Sequence, residues 1–176
     1  MNTFTPKKSF IRVATGTPKV AIADCAANVD QLLHLYEQAS SHQVSVVAFP
    51  ELCIPGYSLG DIVRQTALLS QARKRLTQLA EATAHKSTAM VVGLPYRHEN
   101  RLYNCAAFSA NGEIKGLVTK SNLPNYGEFY EQRWYQPFDG TTTTTIAGKQ
   151  VPFGQQLLFD IDGVYIGTEI CEDMWV

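Results

Sequence analysis

Val44-Ser45-Val46-Val47-Ala48-Phe49, closed by Pro50-Glu51-Leu52, is the stretch that decides the fold. Its apolar residues run on without alternation and are rich in valine, the pattern of a strand buried on both faces. Ala89-Met90-Val91-Val92-Gly93-Leu94 repeats that pattern and is closed by Pro95. Between the two runs, residues 61–85 predict one long helix with Leu69, Ala72, Leu76, Leu79, Ala80 and Thr83 on its buried stripe. Upstream, residues 10–22 suit a strand broken by Gly16 and Pro18. Asp24 or Asn28 can then cap a helix that buries Val29, Leu32, Leu33 and Tyr36.

Downstream, residues 103–109 and 113–119 predict a hairpin around Asn111-Gly112. Residues 120–145 lose periodicity, and the five threonines Thr141 to Thr145 are expected in a loop, with one helical turn near residues 128–133. Residues 156–161 and 164–170 are expected as two strands about Asp162-Gly163. Strands alternating with helices and followed by hairpins give a layered α/β domain.

Composition limits the function. A chain of 176 residues has the length of one domain and can bury roughly 70% of its unfolded surface. With 45% hydrophobic and 18% charged residues it is a globular rather than a disordered sequence. The net charge is −1, and the only basic runs are Lys7-Lys8 and Arg73-Lys74-Arg75, so no nucleic-acid partner is expected. No apolar run approaches the ~20 residues that cross a bilayer, so no membrane association is expected. Without a signal-peptide core the expected compartment is the cytoplasm, where Cys25, Cys53, Cys105 and Cys171 remain reduced. Their scattered spacing excludes a structural zinc site, and no metal is expected.

Chemistry is suggested by position. Glu51 follows the first buried run, Lys120 follows the 113–119 strand, and Cys171 follows the last predicted strand. Side chains at strand ends of an α/β sheet can converge on one crevice. Glu51, between Pro50 and Leu52, should be partly desolvated, which favours proton shuttling near neutrality. A cysteine with the usual pKa of ~8.5 is only a few per cent thiolate at pH 7. Glu169, Glu172 and Asp173 around Cys171 depress that fraction further, so the thiol needs a base and a balancing cation. His34, His42, His85 and His98 are weaker candidates, which makes a cysteine–histidine pair the poorer assignment.

Phe49-Pro50-Glu51-Leu52, Lys120 with Leu123-Pro124, and Glu169-Ile170-Cys171-Glu172-Asp173 together resemble the Glu-Lys-Cys triad of the nitrilase (carbon–nitrogen hydrolase) superfamily. Residues 123–133 and 169–175 are similar to the glutaminase domains of glutamine-dependent NAD synthetases. The resemblance implies a nitrilase-like α-β-β-α sandwich, with Glu51 as base, Lys120 as oxyanion stabiliser and Cys171 as nucleophile. It also implies glutamine as substrate, a γ-glutamyl thioester intermediate, and ammonia passed to a synthetase domain that amidates deamido-NAD. Tyr57 and Tyr126 match positions that shape the glutamine pocket, and Glu172 is placed to meet the substrate ammonium. A second carboxylate commonly supports the lysine; Glu128 is the first choice here and Glu131 the competitor.

The resemblance further implies an incomplete sandwich, with residues 1–176 as the N-terminal portion of the glutaminase domain. ATP and magnesium belong to the synthetase domain, for which these residues contain no G-x-x-x-x-G-K-[ST] loop. No cofactor is therefore expected in this chain. Weak or absent turnover by the isolated chain is expected, together with homo-oligomerisation of the longer protein. A stand-alone amidase for another small amide and a non-catalytic fragment are the alternative readings.

Overall fold

The computed structural model describes residues 10–176; the polar segment 1–9 with its Lys7-Lys8 pair lies outside the described residues. Its centre is a mixed seven-stranded sheet. The buried run supplies β2 (Val46–Ala48), flanked in parallel by β1 (Val13–Thr15) and β3 (Ala89–His98). The strand expected over 10–22 is thus only three residues long. Gly16 N–H still bonds Ala48 O at 2.9 Å, but Val20 and Ile22 lie exposed beyond it.

Helix α1 (Cys25–Ser41) is capped by Asp24, whose side chain accepts from Ala27 N–H at 3.0 Å. It buries Val29, Leu32 and Tyr36, three of the four stripe residues, whereas Leu33 is only partly buried. Asn28, the alternative cap, is instead buried inside the helix. It donates to Ala21 O and Ile54 O at 2.8 and 2.9 Å, tying the helix to the loop after β2. The single helix expected over 61–85 is divided at Gln65, whose backbone is extended. A 3-10 turn (Gly60–Arg64) precedes it and α2 (Thr66–Ala82) follows, with Leu69, Ala72, Leu76, Leu79 and Ala80 buried as the periodicity requires.

β3 runs past Pro95, where the sequence pattern closes it. Val91 O and Gly93 O accept from Phe49 N–H and Ile54 N–H, so alternate residues of β3 face the β2 side. Pro95 shares that side, beyond the point where β2 ends, and its missing N–H costs the sheet no bond. β3, β4 (Arg101–Ala110) and β5 (Glu113–Thr119) form two antiparallel hairpins. Their turns, Glu99-Asn100 and Asn111-Gly112, have positive φ at both residues, the primed geometry that matches strand twist.

The threonine run is a strand, not a loop. β6 (Thr141–Ile146) pairs with β7 (Lys149–Gly154), and β7 joins β5 in parallel. Five β-branched residues suit the pleat, but their identity hides the alternation that would reveal it, since only Thr144 is buried among them. The two last strands are shorter than expected. β8 (Phe159–Ile161) and β9 (Val164–Ile166) form a separate ribbon about Asp162-Gly163.

Alternation within the central strands sorts the core into two faces. Val47, Met90, Val92, Leu94, Cys105, Ala107 and Leu117 pack under α1 and α2. Val46, Ala89, Val91, Ala106, Phe108 and Val118 point the other way and meet Phe159 and Ile170, with Phe108 stacked on Phe159 at 4.1 Å. A helical layer, a sheet and a ribbon on the far face are therefore present. No described helix is long and apolar enough to cross a membrane.

Gly93 fixes the spacing between β3 and the turn after β2. A Cβ there would lie 2.2 Å from Leu52 N and 2.8 Å from Glu51 C, both backbone atoms. Gly93→Ala is expected to destabilise the fold by about 1–3 kcal/mol through overpacking, measured by urea unfolding, and to disturb the backbone that carries Glu51.

Candidate active site

The hairpin register brings the first two groups together. Cys105 pairs with Thr119, so Lys120 comes next to Asn104 and its N–H bonds Asn104 O at 2.9 Å. The Lys120 side chain is completely buried. Its Nζ donates to Glu51 Oε1 at 2.8 Å and to Glu131 Oε1 at 2.9 Å. Burial opposes the charge on Lys120, but the bonds and fields of Glu51 and Glu131 together outweigh it and raise the ammonium pKa. Burial also pushes the Glu131 carboxyl up, against the pull of Tyr57 and Lys120.

Glu51 sits in the turn that leaves β2, where Leu52 adopts φ +52°. Asn104, fully buried on β4, donates from Nδ2 to the same Glu51 Oε1 that Lys120 uses. Cys171 opens a 3-10 turn (Cys171–Met174) with φ +52°, a left-handed conformation uncommon for a residue with a side chain. It does not extend directly from a buried strand: β9 ends at Ile166, and residues 167–170 are not part of the ladder. Glu51 and Cys171 line one cavity of about 150 Å³, together with Gly93, Cys105 and Ala106.

Cys171 is the exposed cysteine, whereas Cys25, Cys53 and Cys105 are buried. Partial desolvation pushes its thiol above the ordinary value. Lys120 opposes this, Glu51 and Glu131 add to it, and the Glu172 backbone N–H favours the thiolate.

The carboxylate that meets Lys120 belongs to Glu131, not to Glu128. Glu128 is exposed, while a one-turn 3-10 helix (Glu131–Arg133) carries the buried Glu131. The Glu131 N–H is held by Pro124 O at 3.1 Å. Arg133 and Trp134 then bond Asp61 at 2.8–3.0 Å, fastening this turn to the 3-10 turn before α2. Tyr57 lies beside it and donates to Glu131 Oε1 at 2.6 Å, so its hydroxyl is engaged with the buried carboxylate. Tyr126 donates to both Glu172 oxygens at 3.1 and 3.0 Å, placing this pair together on the exposed side.

Two contributors escape sequence reading. Asn104 is a lone amide within the apolar strand Tyr103-Asn104-Cys105-Ala106-Ala107, and that isolation is the signal that could have found it. Asp173 is hidden in an acidic run, yet its Oδ1 accepts from Ser121 N–H, Asn122 N–H and Asn122 Nδ2 at 3.0, 2.8 and 3.2 Å. It fastens the Cys171 turn to the chain that leaves Lys120. Among the described residues, no group of three or more His, Cys, Asp or Glu side chains is arranged to hold a metal.

A family model for carbon–nitrogen hydrolases matches residues 12–176. The chain belongs to this family. It is 40% identical over 171 residues to a glutamine-dependent NAD(+) synthetase of Mycobacterium bovis, covering 95% of this chain and 25% of that protein. A glutamine-dependent NAD(+) synthetase of Xylella fastidiosa is 31% identical over 167 residues, covering 94% and 28%. The crystal structure of a glutamine-dependent NAD(+) synthetase from Cytophaga hutchinsonii superposes with a TM-score of 0.87 at 32% identity, covering 93% of this chain and 28% of that one. An amidase from Nesterenkonia sp. shares the fold, with a TM-score of 0.62 at 23% identity over 81% of this chain and 54% of its own. The chain thus spans about a quarter of the length of the synthetases it matches. The nitrilase-like fold and the resemblance to a synthetase's N-terminal glutaminase region agree with the sequence reading.

Two outcomes follow from this geometry. Iodoacetamide should alkylate Cys171 with a midpoint above that of an ordinary free thiol, because the protonated form persists to higher pH. Lys120→Met should move that midpoint higher still by removing the cation that opposes the shift; peptide mass spectrometry across pH reads both. Asp173→Ala should lower the melting temperature and slow alkylation of Cys171, while Asp173→Asn, which keeps an Oδ1 acceptor, should restore both.

Proposed function

We propose that this chain carries a glutaminase site that uses Cys171, Glu51 and Lys120 to release ammonia from glutamine. The observation that carries the reading is the pairing of buried Lys120 with Glu51 and Glu131 beside a cavity shared by Glu51 and Cys171. Similarity to glutamine-dependent synthetases supports glutamine as the substrate.

Cys171 Sγ attacks the side-chain amide carbon as Glu51 takes the thiol proton. A free, preformed thiolate is disfavoured by the raised pKa, so proton removal and attack must be concerted. Lys120, held charged by its two carboxylates, stabilises the oxyanion; one such donor is worth about 3–4 kcal/mol of barrier. Glu51 gives its proton to the leaving nitrogen, the C–N bond breaks, and ammonia departs from a γ-glutamyl thioester. Glu51 then takes a proton from water as the water attacks the thioester carbon, the C–S bond breaks, and that proton returns to Cys171 Sγ as glutamate leaves. Tyr126 and Glu172 form the rim that receives the substrate's ammonium, with Glu172 as its counter-charge. Tyr57 completes the inner wall and steadies Glu131.

In the longer protein this reading supplies ammonia to a partner synthetase domain that amidates deamido-NAD with ATP. The cytoplasm is the setting in which such a reduced cysteine works. Purified protein incubated with [15N-amide]glutamine should form a γ-glutamyl thioester on Cys171, slowly in the isolated chain, trapped by acid quench and read by intact mass, with the label released as 15N-ammonia. Cys171→Ala should abolish it, and Glu51→Gln should slow its formation by about 10²–10⁴-fold, the usual contribution of a general base. Equal adduct formation from unrelated small amides would overturn glutamine as the substrate.

A further inference from the structure

We infer that Asn104 is a positioning residue that selects which oxygen of Glu51 acts as the base. The inference rests on the reading of Glu51 as the proton acceptor for Cys171. Asn104 sits midway along β4 with no exposed surface, facing away from the helices with Ala106 and Phe108. An amide buried there needs partners, since an unpaired polar group in a sheet interior is destabilising. Its Nδ2 donates to Glu51 Oε1, the oxygen that also accepts from Lys120 Nζ at 2.8 Å. Its main-chain oxygen accepts Lys120 N–H at 2.9 Å.

One residue therefore touches both charged groups. The side chain holds the carboxylate and the backbone holds the lysine, so their spacing is set by a rigid strand rather than by a loop. Oε1 of Glu51 is committed to two donors and is the poorer proton acceptor. Oε2 is the oxygen left for the Cys171 proton, and Glu51 and Cys171 line one cavity. Lys120 alone would not impose this choice, because its ammonium could bind either oxygen. The second donor fixes the carboxylate's rotation. The Asn104 Oδ1 atom has no partner among the described residues, so the side chain is retained in this orientation by its donor alone.

A double-mutant cycle tests this in the purified chain. Asn104→Ala, Glu51→Gln and the double variant are compared for inactivation of Cys171 by a chloroketone analogue of glutamine. In the parent background Asn104→Ala should lower the limiting inactivation rate by about ten-fold and leave the half-saturating concentration unchanged. In the Glu51→Gln background it should have no further effect, because the base it positions is gone. An equal loss in both backgrounds, or no loss in either, overturns the proposal.

If Asn104→Ala does not fold, Asn104→Ser, too short to reach Glu51, replaces it. A second measurement leaves Asn104 intact. Its side-chain amide protons should resonate downfield in the parent and return toward ordinary values in Glu51→Gln; resonances that do not move overturn the pairing. If the chloroketone shows no saturation, glutamine recognition fails, and the same cycle read with iodoacetamide still decides the role of Asn104.

Discussion

A lysine ammonium with no exposed surface, clasped between Glu51 and Glu131, is the constraint on which the rest of the structure depends. Such a charge is tolerated inside a protein only when paired, and removing one partner of a buried pair costs about 3–5 kcal/mol. The three groups come from distant parts of the chain, the turn after β2, the end of β5 and the turn before Trp134. Each must arrive correctly for the others to be stable there. Two carboxylates on one ammonium leave a formal excess of one negative charge. Tyr57 and Asn104 spread that excess by donating to Glu131 and Glu51.

The scaffold supplies the rigidity this cluster needs. β3, β4 and β5 are joined by two tight turns with left-handed backbone, so their register leaves little freedom for Asn104 and Lys120. The far side is held differently. The Cys171 turn is not continuous with the large sheet, and its position comes from Ile170 in the second apolar cluster and from Asp173 on the Ser121–Asn122 backbone. The thiol is thus set by a polar tether and one apolar anchor, while Asn104 and Lys120 are set by the ladder. That arrangement leaves Cys171 exposed, while Lys120 is fully buried and Glu51 partly so.

Much of the fold was legible because burial leaves a pattern. The uninterrupted apolar runs marked β2 and β3, helical spacing marked α1 and α2, and Asn-Gly marked the turn between β4 and β5. Two of the failures share a cause: the deciding information lay in a neighbour, not in the segment. Thr141 to Thr145 became a strand because β7 offered an edge to pair with. β3 passed Pro95 because β2 had already ended on that side. Gln65 divided the predicted helix although it carries no breaker residue. Glu51, Lys120 and Cys171 were visible as candidates through their motifs. The choice between Glu128 and Glu131 was not, since both are carboxylates in the same unpatterned stretch.

The sequence by itself determined the layered α/β class, the two buried strands, and the three candidate residues Glu51, Lys120 and Cys171. Their spacing along the chain says nothing about which oxygen meets which nitrogen. Only the tertiary structure decided that Glu131 supports the lysine, that Asn104 holds Glu51, and that Asp173 ties the cysteine's turn to the lysine's loop. Hydrogen bonds require donor and acceptor to lie about 3 Å apart with the right direction. Residues separated by fifty positions in the chain acquire that relation through packing and register alone.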